Sequence, residues 1–341
     1  HRTILIPTDD EAAIVVAEHR AQLGAFFELP PVADDLPRRI ASKRELFRLC
    51  VQHGVPTPRA SFPRTFADIE AFAHSATFPI VAKNADAFDR LRPGALAATT
   101  VVSSADELLR MAAHWPQIDG VILQEYIPDD ESEDWLVHTY CDRDAVPLVM
   151  FTGVKFRSWP PRQGVTTYGR SVENVELARI ATRLCRGIGF AGIASMDWRF
   201  DRRDGTYKIV DFNPRVGAQF NMFDTEAGID VVRALHLDLT GRAVPAAANR
   251  VGRALRVEHL DLPARMAYRG GTGQVPPAAL IGTKPERAWF QSSDPLPGVI
   301  MAVRSVRPAL QRVLRARHRR TATPAVVSVA VAPTPVVSDV V

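Results

Sequence analysis

Apolar residues recur along this chain in two periods, and the switches between them divide it into alternating strands and helices. It opens on a buried-strand run over 3–7 (TILIP), then the polar turn Thr8-Asp9-Asp10. A helix over about 11–23 follows, with Asp9 or Asp10 as its N-cap and acids at the positive end of its dipole. Pro30 and Pro31 break that pattern. Ser42 is the next N-cap, with Glu45 three residues on as a capping box, for a helix from Lys43 to His53 that stops at Gly54. Val55-Pro56-Thr57-Pro58 is extended, because a residue before proline is pushed out of helical space. A strand over 78–83, a helix over 104–113 and a strand over 120–126 come next. Segments 135–141 and 146–156 pair around Asp142-Arg143-Asp144, and 174–188 is a helix with apolar positions at Val175, Leu177, Ala178, Ala181 and Leu184. Segments 191–200 and 207–212 form a hairpin closed by Arg203-Asp204-Gly205. A helix over 229–239 ends at Gly241. Residues 246–320 hold another strand, a Gly/Pro-rich connection (Gly270, Gly271, Gly273, Pro276, Pro277) and a basic helix over 298–320. The low-complexity segment 321–341, interrupted by Pro324, Pro333 and Pro335, reads as a disordered tail. There is no internal repeat.

With 341 residues, 46% of them hydrophobic and 23% charged, the chain has the balance of a globular protein large enough for two or three packed units. A net charge of +4, with arginines spread along the chain, does not by itself argue for nucleic acid, and no nucleic-acid partner is expected. Cys50, Cys141 and Cys185 are far apart and form no CxxC pair, so neither a disulfide framework nor a cysteine zinc site is expected, and a reducing cytoplasm fits. No apolar run of about 18 residues is present, so no transmembrane segment is expected. The start at His1, directly on a strand, reads as a fragment whose preceding part is missing. The nine histidines form no metal motif, and no Ser or Cys has a nucleophile context.

The chemistry concentrates in residues 189–215, GFAGIASMDWRFDRRDGTYKIVDFNPR. Asp197 lies on the first strand of the hairpin, and Asp211 and Asn213 end the second. Residues two apart on a strand share a face, so Asp211 and Asn213 point the same way and the hairpin brings Asp197 beside them. Two carboxylates and an amide oxygen make an all-oxygen site that suits Mg²⁺. Arg215, two residues on, has the fork to grip a phosphate. A solvated hairpin with a polar turn would explain Arg202–Gly205, but not a D-x-N-P-R run after three apolar strand residues.

This stretch resembles the metal-binding hairpin of the ATP-grasp superfamily, whose usual pattern is an acid or Gln on one strand and E-x-N-P-R on the next. Here the run is D-F-N-P-R, an Asp for the usual Glu, with a shorter reach to an ion. Other parts fall in the superfamily's order. Lys43 resembles the first nucleotide-contacting basic residue, and Lys83, ending FPIVAK, its phosphate lysine. Gln124-Glu125-Tyr126-Ile127-Pro128 resembles the hinge that pairs with adenine, Glu125 and Ile127 offering main-chain groups. Asp134, with Glu133 beside it, matches the acid on the ribose hydroxyls, and Lys155 a second phosphate lysine. Arg157, Arg162 and Tyr168 are candidates to hold the acceptor substrate. The loop after Lys83 has no Gly until Gly94, which is similar to the carboxylate–amine ligase branch containing D-aspartate ligase, alongside carbamoyl-phosphate synthetase-like members.

The resemblance spans about residues 1–245, more weakly to Arg320. It implies an α+β ATP-grasp fold, two subdomains clamping ATP, preceded by the end of a pre-ATP-grasp α/β domain. Segment 1–41 would be that remnant, 42–118 the small subdomain, 119–245 the large subdomain with the metal site, 246–320 a C-terminal extension and 321–341 the tail. It further implies a cytoplasmic Mg-ATP ligase, with Mn²⁺ as an alternative ion. The enzyme would join a small-molecule carboxylate to an amine of the amino acid or small peptide class through an acyl phosphate. Arg215, Lys155 and Arg157 are its expected catalytic residues, Asp197, Asp211 and Asn213 its metal ligands, and a homodimer is allowed. The alternatives are a carbamoyl-phosphate-like or carboxylating enzyme, a non-catalytic ATP-binding scaffold, and a peripheral membrane protein using the basic helix.

Overall fold

The structure, a computed structural model, describes residues 3–85, 96, 99–161, 164–268 and 284–305. They fall into two units, residues 1–288 and 289–341. The first unit begins with β1 (Thr3–Ile4), α1 (Asp10–Glu18), α2 (Arg20–Leu23), β2 (Phe27–Glu28), α3 (Leu36–Ala41) and α4 (Lys43–Gln52). β1 and β2 pair in parallel. Asp9 caps α1, its Oδ1 accepting from the Ala12 N–H at 2.7 Å. The single helix expected over 11–23 is divided at His19, whose φ of −105° and ψ of 17° leave helical space. Ser42 caps α4 as expected, but the capping box closes on one side only. The Ser42 N–H already donates to the Arg38 carbonyl, and the Glu45 carboxylate takes Arg48 instead.

Next come β3 (Ala60–Ser61), α5 (Phe66–Ser75), β4 (Ile80–Asn84), β5 (Thr100–Val102), α6 (Ala105–Ala112) and β6 (Val121–Glu125). The strands form an antiparallel sheet in the order β3-β6-β4-β5. Its period-two pattern separates two faces. Ile80, Ala82, Val102, Val121 and Leu123 pack on Ile69 and Ala73 of α5 and Leu108 and Ala112 of α6. Val81, Lys83, Val101 and Gln124 line a cleft. This sheet takes in β6, beyond residue 118 where the sequence reading divides the subdomains.

The remaining elements of this unit are β7 (Ser132–Cys141), β8 (Pro147–Trp159), β9 (Val165–Ser171), α7 (Val175–Ile188), β10 (Gly192–Asp201), β11 (Thr206–Asn213), α8 (Val231–Leu239), β12 (Ala254–Arg256), α9 (Glu258–Tyr268) and β13 (Glu286–Arg287). Their strands build a seven-stranded sheet, β11-β10-β7-β8-β9-β12-β13. α7 starts at its Asn174 cap and ends at Gly189, whose φ of 66° is the left-handed conformation that favours glycine. One face of the sheet, with Trp135, Val137, Met196, Trp198, Ile209 and Phe212, buries against Leu46, Leu49 and Cys50 of α4 and Leu177, Ala181 and Leu184 of α7. All three cysteines are buried and free.

In the second unit, a helix over 296–305 carries exposed Leu296, Val299, Ile300 and Val303. The rest of the expected basic helix, the Gly/Pro-rich connection, Arg162 and the 321–341 tail lie outside the described residues. Among the described residues no helix is long and apolar enough to cross a membrane.

Candidate active site

The second face of the large sheet is graded from apolar to charged along its strands. In antiparallel pairing, facing residues and their i+2 neighbours share a face. The register therefore lays out successive rows: Val149, Tyr140, Ile193; then Phe151, His138, Ser195, Asn213; then Gly153, Leu136, Asp197, Asp211. The next row brings Asp134, Arg199 and Lys208 together. The apolar end is covered by Val231, Ala234 and Leu235 of α8. The charged end stays open and faces the small sheet. Between the two sheets lies a cleft of ≈ 370 Å³. A β-bulge between Asp197 and Trp198 opposes the extra residue Val210, so Lys208 and Asp211, three apart, both turn to this face.

The cleft is lined by Lys43, Lys83, Gln124, Glu125, Tyr126, Ile127, Asp134, Lys155, Asp197 and Asp211, ten of the residues singled out in the sequence. Lys43 pairs with Asp211, and Lys155 with Asp197. For Asp211, burial works to raise the carboxyl, but Lys43, with Lys83 and Arg215 adding to it, holds it below the usual carboxylate range. For Lys155, burial works to lower the ammonium, and Asp197, then Asp134, overcome it and raise it. Asp197 and Asp211 face one another in register, with side chains 32% and 37% exposed. Asn213 donates its Nδ2 to the Ser195 carbonyl at 3.1 Å, which fixes the amide with its oxygen as the remaining donor atom. Two carboxylates and one amide oxygen on adjoining strands fit a hard divalent cation. Among the described residues there is no group of three or more His, Cys, Asp or Glu that could hold a metal.

Four expected site residues stand apart from the cleft lining. Glu133 turns to Arg202 and to the Trp135 indole N–H, so of the two neighbouring acids only Asp134 faces in. Arg157 is engaged bidentately by Asp261 of α9, at 2.7 and 3.1 Å, and lies over the Tyr168 ring at 4.5 Å. Asn213 is 8% exposed beneath the acids. Arg215 donates from Nε to Asp10 at 3.2 Å. In the hinge, the Glu125 N–H donates to the Arg59 carbonyl at 2.8 Å, and the Ile127 carbonyl accepts from Arg199 at 3.2 Å.

The structure adds residues the sequence reading missed. Arg199 donates to Asp134 at 2.8 Å and lies 3.6 Å from Asp129, tying the segment after β6 to β7. Its position two residues after Asp197 on one strand was the available signal. Asp10 had none, because its partner is 205 positions away. Beneath the acids, His138 is fully buried, its ring 4.8 Å from that of Phe223, and burial lowers its pKa to about 4. The neighbouring loop holds glycine at 217 because a β-carbon there would lie 2.4 Å from His138 Cε1 and 2.5 Å from Ser195 Oγ.

Two facing sheets, a charged hairpin on one and a lysine strand on the other, define the ATP-grasp fold, and solved structures with that fold resemble this chain. The biotin carboxylase domain dimer of Hydrogenobacter thermophilus 2-oxoglutarate carboxylase, in complex with MgADP, ADP and bicarbonate, matches with a TM-score of 0.55 and 14% identity, over 70% of this chain and 55% of that one. N5-carboxyaminoimidazole synthetase from Staphylococcus aureus complexed with ADP matches with a TM-score of 0.53 and 11% identity, over 70% of this chain and 61% of that one. In sequence, the chain is 23% identical over 241 residues to D-aspartate ligase from Enterococcus faecium, covering 67% of this chain and 57% of that protein. The chain thus spans little more than half the length of that curated relative. No family model matches it.

Proposed function

We propose that the chain is the ATP-grasp part of an ATP-dependent carboxylate–amine ligase, which activates a carboxylate as an acyl phosphate and releases ADP and phosphate. The observation that carries this reading is the convergence of Lys43, Lys83 and Lys155 with Asp197 and Asp211 in one cleft between two sheets. A nucleotide-binding scaffold needs the lysines and the hinge; it does not need register-paired acids beside them.

In this reading Gln124–Ile127 and Val81 receive the adenine, and Asp134, held by Arg199, receives the ribose. Lys43 and Lys155 exchange their carboxylate partners for phosphate oxygens, and Lys83 joins them there. Mg²⁺ or Mn²⁺ on Asp197, Asp211 and Asn213 would neutralise phosphate charge as the γ-phosphoryl group moves to the carboxylate. Arg215, beside the acids, steadies the transferred group. The small sheet, closing on the large one, keeps water from the acyl phosphate. Arg157, locked to Asp261, supports the wall formed by β8 and α9.

The likeness to D-aspartate ligase makes D-aspartate the first carboxylate to try. The test is hydroxylamine trapping. With Mg-ATP and the right carboxylate, hydroxamate and ADP should accumulate together. AMP and pyrophosphate in place of ADP would indicate an adenylate and refute the mechanism. Nucleotide binding with no turnover across a broad carboxylate panel would favour the scaffold, and ADP release dependent on bicarbonate alone would favour a carboxylating enzyme.

A further inference from the structure

Asp10 sits in the first turn of α1, yet Asp9 does the capping, so the helix does not require Asp10. Its carboxylate faces Arg215 at 3.2 Å, with the two side chains 32% and 22% exposed, so an incoming group can reach both. Lys43 and Asp211 are close enough for their charges to act on it. Burial outweighs Arg215 and raises its carboxyl above the usual range. A third carboxylate beside a phosphate site opposes phosphate binding unless it serves a cation. The divalent-cation donors already lie together on β10 and β11, whereas Asp10 is on another element and bonded to a guanidinium. Once Arg215 turns to the transferred phosphoryl group, Asp10 is left half-buried without its partner, which calls for a compact positive group in its place.

We propose that Asp10 is the counter-ion that receives the ammonium group of the acceptor amine. The inference rests on the ligase reading above and deepens it: the acceptor is a primary amine that arrives charged. On attack the nitrogen forms the C–N bond and the C–O bond to phosphate breaks, its electron pair leaving on phosphate. Of the two ammonium protons lost, one goes to the departing phosphate and one to solvent by way of the Asp10 carboxylate.

The test compares two nucleophiles in one assay at pH 7.5, with Mg-ATP and the carboxylate that gives hydroxamate. Hydroxylamine is mostly neutral there and has no use for a counter-ion. Ethylamine, glycine amide and Nα-acetyl-lysine are cationic, and whichever gives an amide with the unmodified protein is used. The readout is the ratio of amide to hydroxamate by mass spectrometry, which cancels any loss of folded protein. Asp10→Asn should lower that ratio about tenfold or more, the loss of one charge-assisted contact. Asp10→Glu should recover most of it. An unchanged ratio in Asp10→Asn overturns the assignment, and so does an unmodified protein that makes hydroxamate but aminates with none of the cations. No hydroxamate from the unmodified protein with any carboxylate would instead sink the ligase reading underneath.

Discussion

Two groups of opposite charges share the open face of the large sheet, and they are built differently. Lys208 is surrounded by Glu125 at 2.9 Å, Asp201 at 2.8 Å and Asp204 at 2.8 Å, while Asp201, 0% exposed, is also held by Arg203. That network joins β6 to the β10–β11 hairpin and leaves no carboxylate looking for a partner. The pairs Lys43–Asp211 and Lys155–Asp197 hold one acid per lysine, and their acids are about a third exposed to the cleft. A saturated network resists exchange and braces the fold. A simple, half-open pair can trade partners with a ligand at little cost, because each charge is accommodated before and after.

The largest effect should come from removing a charge from the open group. Asp211→Asn should lower turnover roughly 10²- to 10³-fold or more, with a smaller loss of stability than any change to the braced group. An unaltered Mg²⁺ dependence of ADP release in that variant would erase the distinction between the groups. The braced group should show the reverse signature. Lys208→Met strands acids that Arg203 and Arg59 satisfy only in part, and should cost about 3 kcal/mol in urea unfolding. A variant as stable as the parent would mean that the network braces nothing.

Lys83→Ala should weaken ATP binding by roughly 1.5–3 kcal/mol, the loss of a charge-assisted hydrogen bond. Equal affinity by calorimetry would remove Lys83 from the site. A pH-dependent effect belongs to a buried group outside both sets. The folded His138 pKa is depressed to about 4, so its neutral form is the one the fold accepts. Its stability contribution is complete above about pH 6.5, where the unfolded imidazole is also neutral, and is lost as pH falls toward 4, at about 1.4 kcal/mol per unit. The depressed Asp211 carboxyl contributes stability that fails only below the ordinary carboxylate range, so the two effects separate along the pH axis. In His138→Leu the slope between pH 6.5 and 4 should flatten; unfolding curves that keep it would assign it elsewhere.

What could be read in the sequence was local or periodic. The cap at Ser42, and at Asp9 of the two neighbouring acids, sits where spacing put it, because a cap depends on residues three apart, and the helices expected from 104 and 174 start at side-chain caps on those residues. The β10–β11 hairpin and its acids were legible through period two and a tight turn. Helix α5 was missed although Thr65 and Asp68 close a full capping box. Helix α9 was hidden by Pro263, which its interior tolerates. β6, beyond residue 118, looks like any apolar strand until β3 and β4 pair with it. Arg157 was a candidate from its strand face and Glu133 from its spacing after 124–128, and only the fold supplies Asp261 and Arg202 as their partners. Asp10 depends on a contact across 205 positions, which no local pattern encodes, whereas Arg199, bonded across 65 positions, shares a strand face with Asp197.

The one-to-one pairing of lysines with aspartates in the cleft has a consequence for the order of ligand arrival. If nucleotide comes alone, its phosphates draw Lys43 and Lys155 away and leave two carboxylates facing polyanionic oxygen. If the divalent cation comes alone, it takes the carboxylates and leaves two ammonium groups crowded against it. Either visitor by itself breaks bonds that only the other can replace, so each should raise the affinity for its companion. Such linkage is reciprocal by thermodynamic necessity and typically amounts to about 1–3 kcal/mol. The cleft would then bind the metal–nucleotide complex as one body, and discriminate against free nucleotide without any contact devoted to that purpose.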